Sequence, residues 1–270
     1  MQRTPTILIF DSGAGGLSIA REIQIRYPYC DLVYVADNAL FPYGLMDDSH
    51  LIDRVVQLMG SLIARYKPDI TVIACNTAST IALAPLRKRF KQIFVGVVPA
   101  VKPAAETSSS SVIGLLATPA TVDREYTNTL ITKFAAHCHV YTLGSSQLVH
   151  YAEAQICGNP VDDDKLSDEL VRLTGQDHSG TMDKIVLACT HFPLLKERFT
   201  SLGHFRKIDW IDSGEAIARR VGHHLADIPH NAQSSSPAKL NFVFTSSTTS
   251  TETKNAYRRY LVTSIESGSP

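Results

Sequence analysis

The sequence predicts an α/β protein built as two doubly wound parallel-sheet domains, and three observations predict it. Short apolar runs alternate with helix-patterned stretches along most of the 270 residues, the pattern of a parallel sheet covered on both faces. The alternation breaks near residues 99–111 and then restarts. Finally, Val72-Ile73-Ala74-Cys75-Asn76-Thr77 returns in the second half as Val186-Leu187-Ala188-Cys189-Thr190-His191. Each copy is a hydrophobic strand ending in Ala-Cys and a polar pair, which reads as an internal duplication.

Taken in order, residues 6–10 form a first strand, 17–26 a helix and 32–36 a second strand. Leu51, Ile52, Val55, Val56, Met59, Leu62, Ile63 and Tyr66 recur at three- and four-residue spacing and so make one apolar helix face. A β-branched strand at 70–74, a helix at 78–90 and a strand at 93–98 complete the first half. Past the break, strands are expected at 112–117, 139–143 and 184–188, with helices at 123–137, 145–157 and 164–175. The remainder beyond Ile208, with a helix from Ser213 and a polar linker at 233–237, is expected to pack back on the first half. The expected domains are therefore 1–98 with 209–270, and 99–208.

Composition narrows the partners. Hydrophobic residues make up 44% of the chain and charged residues 19%, the balance of a globular protein with a sizeable core. Lys plus Arg equals Asp plus Glu at 26 each, so no net field favours nucleic acid or an anionic membrane. No stretch approaches the roughly 18 apolar residues of a membrane span, and the start lacks the apolar core and cleavage site of a signal peptide. The five cysteines, Cys30, Cys75, Cys138, Cys157 and Cys189, are odd in number and widely scattered. Reduced thiols in the cytoplasm are expected rather than a disulfide framework. The partner is expected to be a small molecule.

Asp11-Ser12-Gly13-Ala14-Gly15-Gly16 follows the first strand and opens a helix, and three readings stay open. A dinucleotide fingerprint fits Gly13 and Gly15, with Asp37 about where a ribose-binding acid belongs, but Ser18 occupies the last glycine position. A helix N-terminus could instead hold a carboxylate through its amides and dipole. The plainest reading is a tight strand-to-helix turn with Ser12 as cap. Phe41-Pro42-Tyr43-Gly44 reads either as a rim loop suited to a small polar ligand or as an ordinary Pro-Gly turn.

Cys75 and Cys189 carry more. A lone cysteine after an apolar strand is usually a small buried hydrophobe, yet both lie at carboxyl ends of parallel strands, where open α/β sheets bind ligands. Hydrogen-bonding groups follow each: Asn76 and Thr77, then Thr190 and His191. A helix starting just after each thiol would lower its pKa toward neutrality, and a group titrating near neutrality can both give and take a proton. Two such thiols from equivalent halves would face one another across a central cleft. Metal binding fits poorly, because no C-x-x-C spacing occurs. His137-Cys138-His139 reads as a helix end running into a strand, and Asp162-Asp163-Asp164 as a solvated loop.

Together with Thr118-Pro119-Ala120-Thr121-Val122, Ala188-Cys189-Thr190-His191-Phe192-Pro193 and Asp212-Ser213-Gly214-Glu215, these motifs resemble the glutamate racemase family of the aspartate/glutamate racemase superfamily. The resemblance runs over roughly residues 7–220 and departs from the family form at 144–153. It implies two α/β domains about a pseudo-two-fold axis, glutamate in the cleft, no cofactor and no metal. It further implies that Cys75 takes the α-proton of the D-isomer and Cys189 that of the L-isomer, assisted by Asp11 and His191 respectively. Ser12, Tyr43, Gly44, Asn76, Thr77 and Thr190 would hold the substrate with Asp11 and His191, and Thr118, Thr121 and Glu153 join them on weaker matches. D-Glutamate for peptidoglycan synthesis is the implied product, and a homodimer is compatible with it. The competing expectations are an aspartate racemase, an amino-acid-binding module without turnover and a nicotinamide-dependent oxidoreductase.

Overall fold

The structure, a computed structural model, describes residues 4–229 and 238–267; the linker expected at 233–237 lies outside them. In chain order the elements are β1 (Thr6–Asp11), α1 (Leu17–Arg26), β2 (Asp31–Ala36), α2 (Asp48–Tyr66), β3 (Ile70–Ile73), α3 (Asn76–Arg89) and β4 (Ile93–Gly96). Next come α4 (Val101–Thr107), β5 (Val112–Ala117), α5 (Pro119–Val122), α6 (Glu125–Phe134), β6 (His139–Gly144), α7 (Gln147–Ile156), α8 (Asp163–Thr174), β7 (Lys184–Leu187), α9 (Lys196–Ser201) and β8 (Asp209–Ile211). The chain ends with α10 (Gly214–Leu225), β9 (Leu240–Phe244) and α11 (Thr251–Ser267).

Two compact units result, Met1–Val97 with Gly214–Pro270, and Val98–Ser213. The first holds a five-stranded sheet in the order β4-β3-β1-β2-β9 and the second a four-stranded sheet in the order β6-β5-β7-β8. Every pairing is parallel. Counted within each unit, the third strand lies beside the first, with the second on its other side and the fourth outermost. The duplication legible around the two Ala-Cys segments is thus a repeat of topology.

The core arises from the apolar runs. Ile7, Leu8, Ile9 and Phe10 are wholly buried, as a strand covered on both faces must be. On α2, Leu51, Val55, Met59 and Leu62 are buried, each contributing roughly 1.5–3 kcal/mol of apolar transfer. Asp47 caps that helix by accepting from the Ser49 and His50 amides, an effect of about 1 kcal/mol. Packing therefore decides where the helix sits, and the cap decides where it starts. In the second unit Ile113, Leu115 and Val186 meet Val101, Ala104 and Ala105 of α4.

Several expectations need correction. Residues 209–211 form β8 beside β7, so the second unit runs to Ser213 and the chain returns to the first unit only from Gly214. The helix expected at 123–137 is shorter, α6 at Glu125–Phe134, and a separate helical turn, α5, which Pro119 opens, precedes it across extended Arg124. Asp162-Asp163-Asp164 is no free loop, since Asp162 caps α8 through the Asp164 amide and its neighbours are acids in the first turn. All five cysteines are free thiols. No helix among the described residues is long and apolar enough to cross a membrane.

Candidate active site

In a doubly wound sheet the crevice opens where successive connections leave in opposite directions, at the carboxyl ends of two neighbouring strands. In the first unit those strands are β1 and β3, and the residues at their carboxyl ends are Asp11 and Cys75. In the second unit they are β5 and β7, leading into Thr118 and Cys189. Backbone topology alone thus brings Asp11, Cys75, Thr118 and Cys189 to the crevice ends of their sheets.

On the first unit, Asp11 is fully buried and accepts from the Gly13 amide at 2.9 Å and the Ser12 hydroxyl at 3.3 Å. Ser12 does not cap α1; Gly16 holds that position without a side-chain bond. The turn needs glycine there for space, because a Cβ on Gly16 would stand 2.8 Å from Asp11 Cβ and 3.1 Å from Ala74 Cβ. The Tyr34 hydroxyl donates to the Gly13 carbonyl at 2.7 Å and locks the loop from beneath. Cys75 is the N-cap residue of α3, so its thiol sits at the positive end of a 14-residue helix. Beside it, Asn76 and Thr77 are buried, and Asn76 Nδ2 is buried without a hydrogen-bond partner. A donor left in that condition is costly unless a ligand meets it.

Tyr43 and Gly44 lie in a short 3₁₀ turn, Tyr43–Leu45, just after a cis Phe41–Pro42 bond. The Tyr43 ring packs against Phe10 and joins the apolar cluster containing Cys75. Its hydroxyl donates to Asp37 Oδ2 at 2.5 Å. Asp37 itself is no ribose acceptor. Its buried carboxylate also takes Arg54 Nε at 3.0 Å, Arg54 Nη2 at 2.7 Å and Thr245 Oγ1 at 2.5 Å. Burial pushes this carboxyl up, but the bonds from Arg54, Thr245 and Tyr43, with the Arg54 charge, hold it below the ordinary carboxylate value. Burial, the Asp37 charge and the bond to Asp37 push the Tyr43 phenol well above its ordinary value.

On the second unit, Cys189 is not at an α-helix N-terminus as expected. The next helical turn, Phe192–Leu195, is a four-residue 3₁₀ segment, and α9 begins only at Lys196. The charge beside this thiol comes from His191. Its Nδ1 lies 3.9 Å from Cys189 Sγ, and its Nε2 lies 2.9 Å from Glu153 Oε1 on α7. Burial disfavours the imidazolium, yet the bonds and charges of Cys189 and Glu153 outweigh it and raise the His191 pKa well above its ordinary value. Each ring nitrogen thus faces one of these neighbours, an arrangement that favours the imidazolium. Glu153, one of the residues expected to bind substrate, bonds His191. The Thr118 and Thr121 hydroxyls bond one another at 2.9 Å, and Thr190 is buried next to the thiol.

Arg54 and Thr245 escaped sequence reading. A single basic residue on the apolar face of α2, one place before buried Val55, was the available signal for Arg54. Thr245 lies just past β9, beyond the residues over which the sequence motifs run. Among the described residues no group of three His, Cys, Asp or Glu side chains could hold a metal ion.

Comparison with known proteins agrees in kind. The family model for Asp/Glu/Hydantoin racemase matches residues 18–221. A glutamate racemase of Brucella anthropi is 48% identical over 216 residues, 80% of this chain and 77% of its own length. One from Agrobacterium fabrum is 44% identical over 242 residues, covering 89% and 87%. The crystal structure of Escherichia coli glutamate racemase, in complex with L-glutamate and the activator UDP-MurNAc-Ala, superposes with a TM-score of 0.83 at 37% identity, covering 98% of this chain and 96% of that one.

Proposed function

Because the chain belongs to the Asp/Glu/Hydantoin racemase family, we infer that it is a glutamate racemase, an isomerase interconverting L- and D-glutamate by proton transfer at two thiols. One observation carries the two-thiol reading: Cys75 and Cys189 come after the third strand of the same strand order in each unit, beside its crevice position. The identity of the relatives favours glutamate over aspartate.

The α-proton of an amino acid is very weakly acidic, and no pyridoxal electron sink is part of the assignment. The carbanion that forms must be stabilised by dense hydrogen bonding in a site closed to water. In our assignment Cys75, as thiolate, removes the α-proton of D-glutamate while the Cys189 thiol delivers its own proton to the opposite face. The reverse reaction exchanges the roles. Asp11 assists Cys75. The His191 imidazolium, held by Glu153, offsets negative charge on Cys189. Ser12, Asn76, Thr77 and Thr190, with the backbone of Tyr43 and Gly44, hold the carboxylates and ammonium; Thr118 and Thr121 serve the second unit's side. The unpartnered Asn76 amide supports this most directly. We assign the D-glutamate formed to peptidoglycan synthesis in the cytoplasm.

Circular dichroism tests the assignment. Protein dialysed against a chelator, with no cofactor added, is expected to drive the signals of L- and D-glutamate from opposite signs to zero. Activity that appears only on adding pyridoxal phosphate or a metal, or conversion of aspartate in preference to glutamate, would overturn it.

A further inference from the structure

Asp37 takes part in no proton transfer, yet it ties together well-separated segments of the first unit. It stands one residue past β2, and its own amide donates to the Asp11 carbonyl at 2.8 Å. Its carboxylate receives Tyr43 from the turn, Arg54 from α2 and Thr245 from the segment after β9. That last segment is tied down further. The Thr245 amide donates to the Ala36 carbonyl at 3.1 Å, the Ala39 amide to Thr245 Oγ1 at 3.2 Å and the Ser246 amide to Asn38 Oδ1 at 3.0 Å.

We propose that Asp37, with Arg54 and Thr245, is a positioning residue for racemisation, fixing the Tyr43 ring and its turn against Cys75. The inference rests on the racemase reading. A carboxylate that merely completed a core would need no particular neighbour, whereas this one terminates on a phenol whose ring belongs to the apolar cluster that includes Cys75. Tyr43 shares its apolar cluster with Cys75, Phe10 and Ala78, and its turn touches α3, whose N-cap is Cys75. Arg54 balances the charge, so the carboxylate stays ionised and accepts from the phenol and from Thr245 at once. The edge strand β9, the last strand among the described residues, thereby becomes part of the machinery that sets the Cys75 side of the reaction.

Displacing a reacting group by about 1 Å can cost up to about 10²-fold in rate, and only the Cys75 transfer should suffer. The test uses Thr245→Val, which keeps shape and loses the hydroxyl, Thr245→Ser, which keeps the hydroxyl, and Tyr43→Phe. Thermal melts report folding, and kcat/KM and the α-deuterium isotope effect are measured from each enantiomer. Thr245→Val and Tyr43→Phe are expected to lower kcat/KM by up to about 10²-fold. The isotope effect should rise from D-glutamate and not from L-glutamate, and the double variant should lose little beyond the worse single one. Thr245→Ser should stay near wild type. Wild-type kinetics in Thr245→Val, or a loss that tracks the folded fraction with isotope effects unchanged, would overturn the proposal. A wild-type protein that leaves both enantiomers untouched overturns the racemase reading and the inference with it.

Discussion

Replacing either Cys75 or Cys189 with alanine is expected to abolish racemisation while the protein still folds. Alanine fits both positions, since each thiol follows a buried strand and is itself almost fully covered, 7% exposed at Cys75 and 6% at Cys189. One acid–base group is typically worth 10²–10⁴-fold. Here each turnover needs one thiol to remove a proton and the other to supply one, so a single loss should exceed about 10⁴-fold. The other cysteines provide the control. Burial, with the charges of Asp31 and Asp69, pushes the Cys30 thiol up to about 12, so it stays protonated at neutral pH. Burial likewise raises Cys138. Cys30→Ala, Cys138→Ala and Cys157→Ala should retain turnover and cost about 1 kcal/mol of stability or less. Kinetic assays beside thermal melts on all five variants decide it; a Cys189→Ala protein with wild-type activity contradicts two-thiol transfer.

The second large effect concerns His191. Its replacement by Asn should slow racemisation roughly 10²–10⁴-fold, because Cys189 loses the imidazolium bonded to it. Glu153→Gln should act more mildly through the same ring, by withdrawing the anion that helps keep it protonated. The pH dependence has a fixed sign. The folded pKa of His191 is raised above an unfolded value of about 6.5, so folding takes up a proton between the two values. The stabilisation is complete below about pH 6.5 and is lost as pH rises through the folded pKa. The Tm deficit of Glu153→Gln should accordingly be larger at about pH 6 than in alkaline buffer. An equal deficit at both pH values would mean that the ring is neutral in the folded protein.

Periodic elements were legible at once. Helix α1 and strand β5 have the bounds their apolar patterns imply, and the two Ala-Cys strand ends announced a repeated topology. The strands at the margins were not. β8 has three residues, Asp209–Ile211, too few to show a period. β9 lies at a sheet edge, and its five residues Leu240-Asn241-Phe242-Val243-Phe244 show no clean period of two. At the site, residue types that suit acid–base work could be named from sequence because each chemistry needs few side chains. Their partners could not. Asp37 bonds residues 17 and 208 positions away, and His191 reaches Glu153 across 38. Such pairings are fixed by sheet order and helix packing, which no local pattern encodes. Asp37 and Tyr43 illustrate the consequence: both carry groups suited to a ligand, and the fold joins them to one another.

The most direct test of two-thiol transfer is the fate of the α-hydrogen. L-Glutamate and D-glutamate are each incubated with the enzyme in deuterium oxide, and both enantiomers are recovered at low conversion for mass spectrometry. A thiol that removes the α-proton is distinct from the thiol that delivers one, and the delivering thiol carries solvent deuterium. The product enantiomer should therefore hold one α-deuterium in either direction, while the remaining substrate stays unlabelled. A product that keeps its α-protium would contradict proton transfer between two separate thiols, because the hydrogen would then have travelled with a single carrier.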